Sequence, residues 1–168
     1  MVRTLRRHQR SRTRFYWLVP VAFLAHCAEE LPRFPSWASQ HFGTTTTRFY
    51  VASHCVLVPL IVASGARASA RPGDPRAAFF ATSVAAALGL NAVFHAGTTV
   101  LFRRHSPGFI TAIAAMLPAS AYAISRTRRD GLLTDEQLLG ALLAGTSLGN
   151  AAIASLYVHM PRLGGEAG

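Results

Sequence analysis

The sequence predicts an all-α fold, a polytopic membrane protein built as a bundle of five transmembrane helices. Three observations carry this expectation. Hydrophobic residues are 51% of the 168 and charged ones only 14%, an unusual balance for a soluble domain. The apolar residues gather in blocks of about 20, the length that crosses the roughly 30 Å hydrocarbon core of a bilayer. All seventeen basic residues are arginines standing at or near the ends of those blocks or in the segments between them, where membrane topology places them. The net charge of +10 therefore reads as a topology signal. A nucleic-acid partner is not expected, because no amphipathic face carries the charge. Zinc-finger spacing, a phosphate-cradling glycine loop, a Gly-x-Ser-x-Gly elbow and a Rossmann fingerprint are all missing from the sequence.

Residues 1–14 hold six arginines and no acid, a basic tail suited to an anionic cytoplasmic leaflet. The single helical domain is expected over 15–160. Its first block, 15–31, opens on Phe15-Tyr16-Trp17, an interfacial aromatic belt, and stops at Pro32. A cleaved signal peptide is disfavoured because His26 stands where a small residue is needed and four more apolar blocks follow. Residues 32–47 read as a polar connection.

Block two, 49–65, carries His54 and an internal Pro59, and the Gly-, Pro- and Arg-rich stretch 66–76 reads as a turn. Block three, 77–101, sets Asn91 and His95 one turn apart. Block four runs from Pro107 to Ile124, and 125–136 is a charged loop. Block five, 138–160, bears a small-residue stripe (Gly140, Ala144, Gly145, Ser147, Gly149). Such a stripe suits close packing inside the bundle or a homo-oligomer contact. Residues 161–168 form a short tail.

With the N-terminus inside, the cytoplasmic segments would hold twelve arginines and the outer ones five. A multi-pass protein of the cell membrane is expected, N-terminus cytoplasmic and C-terminus outside. Cys27 and Cys55 lie within apolar blocks and read as packing residues rather than a disulfide framework.

The chemistry concentrates at His26, Glu29 and Glu30, which share a helix face at i, i+3 and i+4. Each ionised group deep in a bilayer costs roughly 2.5–3.5 kcal/mol on insertion scales, and adjacent carboxylates repel. A cation, an arginine such as Arg33, a shared proton or a water-filled vestibule must compensate. At about 1.5 Å of rise per residue, His26, Glu29, Glu30, His54, Asn91 and His95 fall into one layer in the outer half of the membrane, with Thr111, Asn150 and His159 bordering it. A channel or carrier needs polar groups through the whole thickness. A layer confined to one side suits an enzyme or a binding pocket, and imidazoles converging with carboxylates suit a divalent ion such as zinc.

At these residues the chain resembles the HXXEE family of small, multi-helix bacterial membrane proteins. His26-Cys27-Ala28-Glu29-Glu30 matches the motif that names it. Asn91-Ala92-Val93-Phe94-His95 is similar to its second motif, Asn-Ala-x-x-His, and Pro107-Gly108 fits as well. The resemblance covers residues 15–124 and implies a membrane-embedded site shared by His, Glu, Asn and His; it implies no substrate. A looser similarity links the glutamate pair and histidines to CAAX-type intramembrane metalloproteases. Arg33 stands three residues after the pair rather than four, and Asn91 rather than Phe stands four before the histidine, so that likeness is chemical analogy.

The expected function is a metal-dependent hydrolase acting on a lipid or lipid-linked substrate, its pocket open to the outer face. His26, Glu29 and His95 would hold the ion, with His54 a further ligand. Glu30 would be general base, and Asn91 would position substrate or the His95 ring. Spacing alone leaves open which glutamate is ligand and which is base. The alternative is a non-enzymatic metal- or lipid-binding component, or a small subunit whose polar cluster fixes helix register.

Overall fold

The structure is a computed structural model, and it describes residues 13–43 and 45–158, with side chains to residue 154. Every regular element in it is helical. A 3₁₀ turn, Arg14–Trp17, leads into α1 (Leu18–Glu30). Then follow α2 (Phe34–His41), α3 (Thr47–Ala70), α4 (Pro75–Phe102), α5 (Phe109–Arg129, containing a π-helical turn over Ala112–Met116) and α6 (Asp135–Val158).

Four of the six, α3 to α6, are long and apolar enough to cross a membrane. The first of the five expected spans is shorter than these four. There the α-helix is only 13 residues, roughly 20 Å long, because the chain enters it through the tighter 3₁₀ turn and Pro32 stops it one turn beyond His26. A correction concerns residues 32–47. They are not simply a polar connection: α2 buries Phe34 and Trp37, which with Phe42 and Tyr50 form an aromatic cluster completed by Phe94 and Phe102. Ser, Thr and His between these rings hide the pattern in the sequence.

Local chemistry accounts for the helix ends. Thr46 caps α3 by accepting from Phe49 N (3.1 Å), and Asp74 caps α4 by accepting from Arg76 N and Ala77 N. Thr134 and Gln137 form a reciprocal capping box at the start of α6. Gly131, at positive φ, closes α5 with Leu132 N bonded back to Thr127 O.

The core is alanine-rich, and α4 is its centre. The small-residue stripe of α6 lies against α4: a Cβ on Gly145 would collide with the Ser83 carbonyl, and one on Gly149 would stand 3.2 Å from Ala87 O. One pole of the bundle gathers the arginine-rich segments. There Thr13 and Ser69 exchange hydrogen bonds, Tyr16 OH bonds Thr127 (2.7 Å) and Thr82 (3.3 Å), and the Arg126 guanidinium lies 5.7 Å from the Phe15 ring centre. From that pole α1 runs to the opposite one, and its last turn carries His26, Glu29 and Glu30.

Candidate metal centre

His26 and Glu30, one turn apart on α1, face inward; His95 reaches them from α4. All three are buried, at 0%, 5% and 1% exposure. Glu30 Oε1 lies 3.1 Å from His95 Nε2 and 3.5 Å from His26 Nε2, and one ligand atom from each residue falls within 4.8 Å of the others. The two rings meet edge to face at 4.7 Å.

The outer nitrogens of both rings are already committed. His26 Nδ1 is 3.1 Å from the Gly108 carbonyl, which can only accept, so Nδ1 carries the proton; Thr111 Oγ1, at 3.2 Å, shares it. His26 Nε2 therefore presents a lone pair and accepts from Asn91 Nδ2 at 3.3 Å. On the other ring, the Ser106 hydroxyl lies 2.9 Å from His95 Nδ1 and 3.3 Å from the His95 carbonyl. When it donates to the carbonyl it accepts from Nδ1, and in that tautomer the His95 Nε2 lone pair faces Glu30. Nε2 is buried 3.1 Å from Glu30 Oε1 without hydrogen-bond alignment to it. Three electron-pair donors thus converge on one point, the arrangement that attracts a cation. Metal-binding histidines likewise give their other N–H to a carbonyl or similar acceptor.

The remaining oxygen of Glu30, Oε2, accepts from Tyr50 OH at 2.8 Å. Glu29 turns elsewhere. Its carboxylate accepts from Ile110 N (3.2 Å), Thr111 N (2.8 Å) and Thr111 Oγ1 (2.6 Å), capping the amino end of α5. Among the described residues neither glutamate pairs with an arginine, so Arg33 does not neutralise them.

Gly108 makes this convergence possible. Its φ of +89° suits glycine, and a Cβ there would stand 2.7 Å from Glu30 Cγ and collide with the His26 ring. Backbone carbonyl and imidazole can meet only because no side chain intervenes.

A family described as proteins of unknown function with an HXXEE motif matches residues 17–123. The chain belongs to the HXXEE family. No curated protein and no solved structure matches it. The geometry gives the HXXEE motif a physical reading: the histidine and the second glutamate, at i and i+4, enter the buried cluster, while the first glutamate, at i+3, holds the neighbouring helix.

Of the residues singled out in the sequence, His26, Glu30, His95 and Asn91 meet directly. Asn91 bonds the His26 ring, not that of His95. Glu29 lies outside the trio. His54 also stands apart: its Nδ1 donates to Tyr50 O (2.9 Å), and its ring stacks on Tyr50 at 4.0 Å and on Phe23 at 5.9 Å. Thr111 serves as described. His159 lies outside the described residues.

Sequence reasoning missed Tyr50 and Ser106. Tyr50 sits one turn before His54, a signal of sorts, but a tyrosine near a helix end reads as an interfacial anchor. Ser106 follows Arg103, Arg104 and His105, where serine reads as loop chemistry.

Above the cluster, toward its pole, Phe34 packs 5.9 Å from the His95 ring, beneath Trp37 and Phe42. Beside it lies a cleft of about 610 Å³, lined by Glu30, Tyr50, His54 and Asn91 at one end and by apolar side chains of α3, α4 and α6 over the rest. The cleft lies between α3 and α6.

Proposed function

We propose that this HXXEE protein is a metal-dependent membrane hydrolase whose ion is held by His26 Nε2, Glu30 Oε1 and His95 Nε2. The observation that carries the reading is the convergence of those three buried atoms, with each Nδ1 beside an oxygen able to accept its proton. Ligands at roughly 2.0–2.1 Å in a tetrahedral site stand about 3.4 Å apart, and the observed separations to Glu30 Oε1 are 3.1 and 3.5 Å. Three protein ligands are what catalytic zinc uses. Such an ion would supply an acidified water and a Lewis acid.

The chain's own residues have defined tasks. Gly108 and Ser106 hold the two rings in the tautomer that ligates. Tyr50 fixes Glu30 so that one oxygen alone faces the histidines. Asn91, whose Nδ2 hydrogen-bonds His26 Nε2, gives the Nε2 lone pair up to the ion and turns its amide, on the wall shared with the cleft, to a carbonyl or phosphoryl oxygen of the substrate. The aromatic cluster over His95 excludes water from the outer side. This division exchanges the glutamate roles expected from spacing: Glu30 becomes ligand, and Glu29 a helix cap. His54 borders substrate rather than metal. A lipid or lipid-linked substrate follows from a cleft walled by apolar side chains at membrane depth. The arginine-rich pole faces the cytoplasm of the cell membrane, and α1 is counted as the fifth membrane segment, which leaves the C-terminus outside.

A second reading is supported by the 3.1 Å approach of His95 to Glu30. A proton on one imidazole would neutralise the carboxylate, and the cluster would then serve only to fix the register of α1 on α4. Elemental analysis of the purified protein separates the two. The hydrolase reading expects one divalent ion per chain, lost in Glu30→Gln and His95→Ala and kept in Glu29→Gln. It also expects chelator-sensitive cleavage of lipids in vesicles made from a bacterial polar extract. A protein free of metal, with Glu30→Gln as stable as the parent, defeats it.

A further inference from the structure

We infer that the cleft between α3 and α6 seats one acyl chain of a bilayer lipid, its head end against Tyr50, His54 and Asn91 beside the His26–Glu30–His95 cluster. The inference rests on the hydrolase reading only for what happens at that head end.

Four observations carry it. Polar groups are concentrated at one end of the cleft: Glu30, Tyr50, Ser53, His54 and Asn91 stand near the cluster, with Ile153 at their level, and Val84, Leu57, Leu60 and Phe80 line the remainder, where the Ser83 hydroxyl is given to the Phe79 carbonyl. Its walls open to lipid, since Val56, Leu60 and Leu148 are 68%, 46% and 63% exposed on helices long enough to span. Its length fits an extended acyl chain. The floor runs along α4 from Asn91 toward the arginine-rich pole at Phe80, eleven residues or roughly 16 Å at 1.5 Å each. Finally, the cleft is continuous with the cluster, because Glu30 belongs to both. A wholly apolar ligand would leave Tyr50, His54 and Asn91 facing hydrocarbon, and a water-soluble one would leave the apolar walls unfilled. An amphiphile with an extended chain satisfies both ends.

The test is crosslinking in vesicles containing phosphatidylglycerol with a diazirine at the middle of one acyl chain. Illumination is followed by mass-spectrometric mapping of the full-length protein. Adducts are expected to concentrate on Val84, Leu57 and Leu60, and to be lost there in Val84→Trp, whose indole fills the floor. Adducts on the outward-facing Leu139 and Leu143 should persist. Leu60→Trp, which blocks the same cleft from the opposite wall, guards against a folding defect in the first variant and should give the same loss. Cleft adducts no more frequent than those at Leu139 and Leu143, or unchanged in both variants, would overturn the inference. Elemental analysis of the same samples keeps the two proposals apart. Chain seating without metal removes the hydrolase reading alone, and metal without seating removes this one alone.

Discussion

Glu29 and Glu30 are neighbours in sequence with opposite surroundings. Glu30 is buried between two imidazoles and a tyrosine, and Glu29 is half-buried against the first amides of α5. A helix-terminal carboxylate that bonds two backbone N–H groups and a hydroxyl is a cap. Glu29→Ala should therefore lower stability by about 1 kcal/mol, the usual cost of losing a cap, while the metal content stays that of the parent; thermal melts in detergent beside elemental analysis check this. Gly108 makes a sharper prediction. Gly108→Ala must place a Cβ against His26 and Glu30 at a φ that costs about 1–2 kcal/mol for other residues. Retention of bound metal by that variant would show that the ring and the carbonyl need not touch. At this scale the motif spacing was enough to find His26, Glu30, Asn91 and His95. It could not separate the two glutamates, since 100° per residue puts both near one face and the difference is made by which neighbour each one meets.

Helix α4 organises the elements around it. It donates Asn91 and His95 to the cluster, floors the cleft and receives the glycine face of α6. Gly145 marks the closest approach, with the Ser83 carbonyl where a side chain would begin. Gly145→Leu forces the helices apart and should cost about 1–3 kcal/mol as overpacking does, read as a lower unfolding temperature; an unchanged melt would mean that α6 does not seat on α4 at this residue. The stripe of small residues announced such a contact without naming its partner. Hydropathy likewise located the four helices long and apolar enough to cross a membrane, yet it did not show that 15–31 is shorter than these, because a sum over residues does not register a 3₁₀ entry or an early stop. It also passed over α2, whose buried rings alternate with polar residues and lower the average.

The molecule as a whole is polar in its charge distribution. Among the described residues Arg14, Arg67, Arg71, Arg76, Arg126, Arg128 and Arg129 lie toward one pole, joined through Thr13–Ser69 and the Tyr16–Thr82–Thr127 cluster, and the His26–Glu30–His95 cluster lies near the other. With Cys27 and Cys55 replaced by Ala, a cysteine introduced at Gly73 should resist a membrane-impermeant maleimide added to intact cells, and one at Arg48 should react. The reverse pattern would invert the proposed orientation. Composition and block length were sufficient for the all-helical class and for the helices long and apolar enough to cross a membrane, because transfer of residues into hydrocarbon is close to additive along a chain. The pairing of His95 with Glu30, the oxygen beside each Nδ1, the capping duty of Glu29 and the cleft between α3 and α6 all depend on segments far apart in the chain. Contacts of that kind have no additive signature, and they exist only once α1, α4 and the turn at Gly108 are packed together.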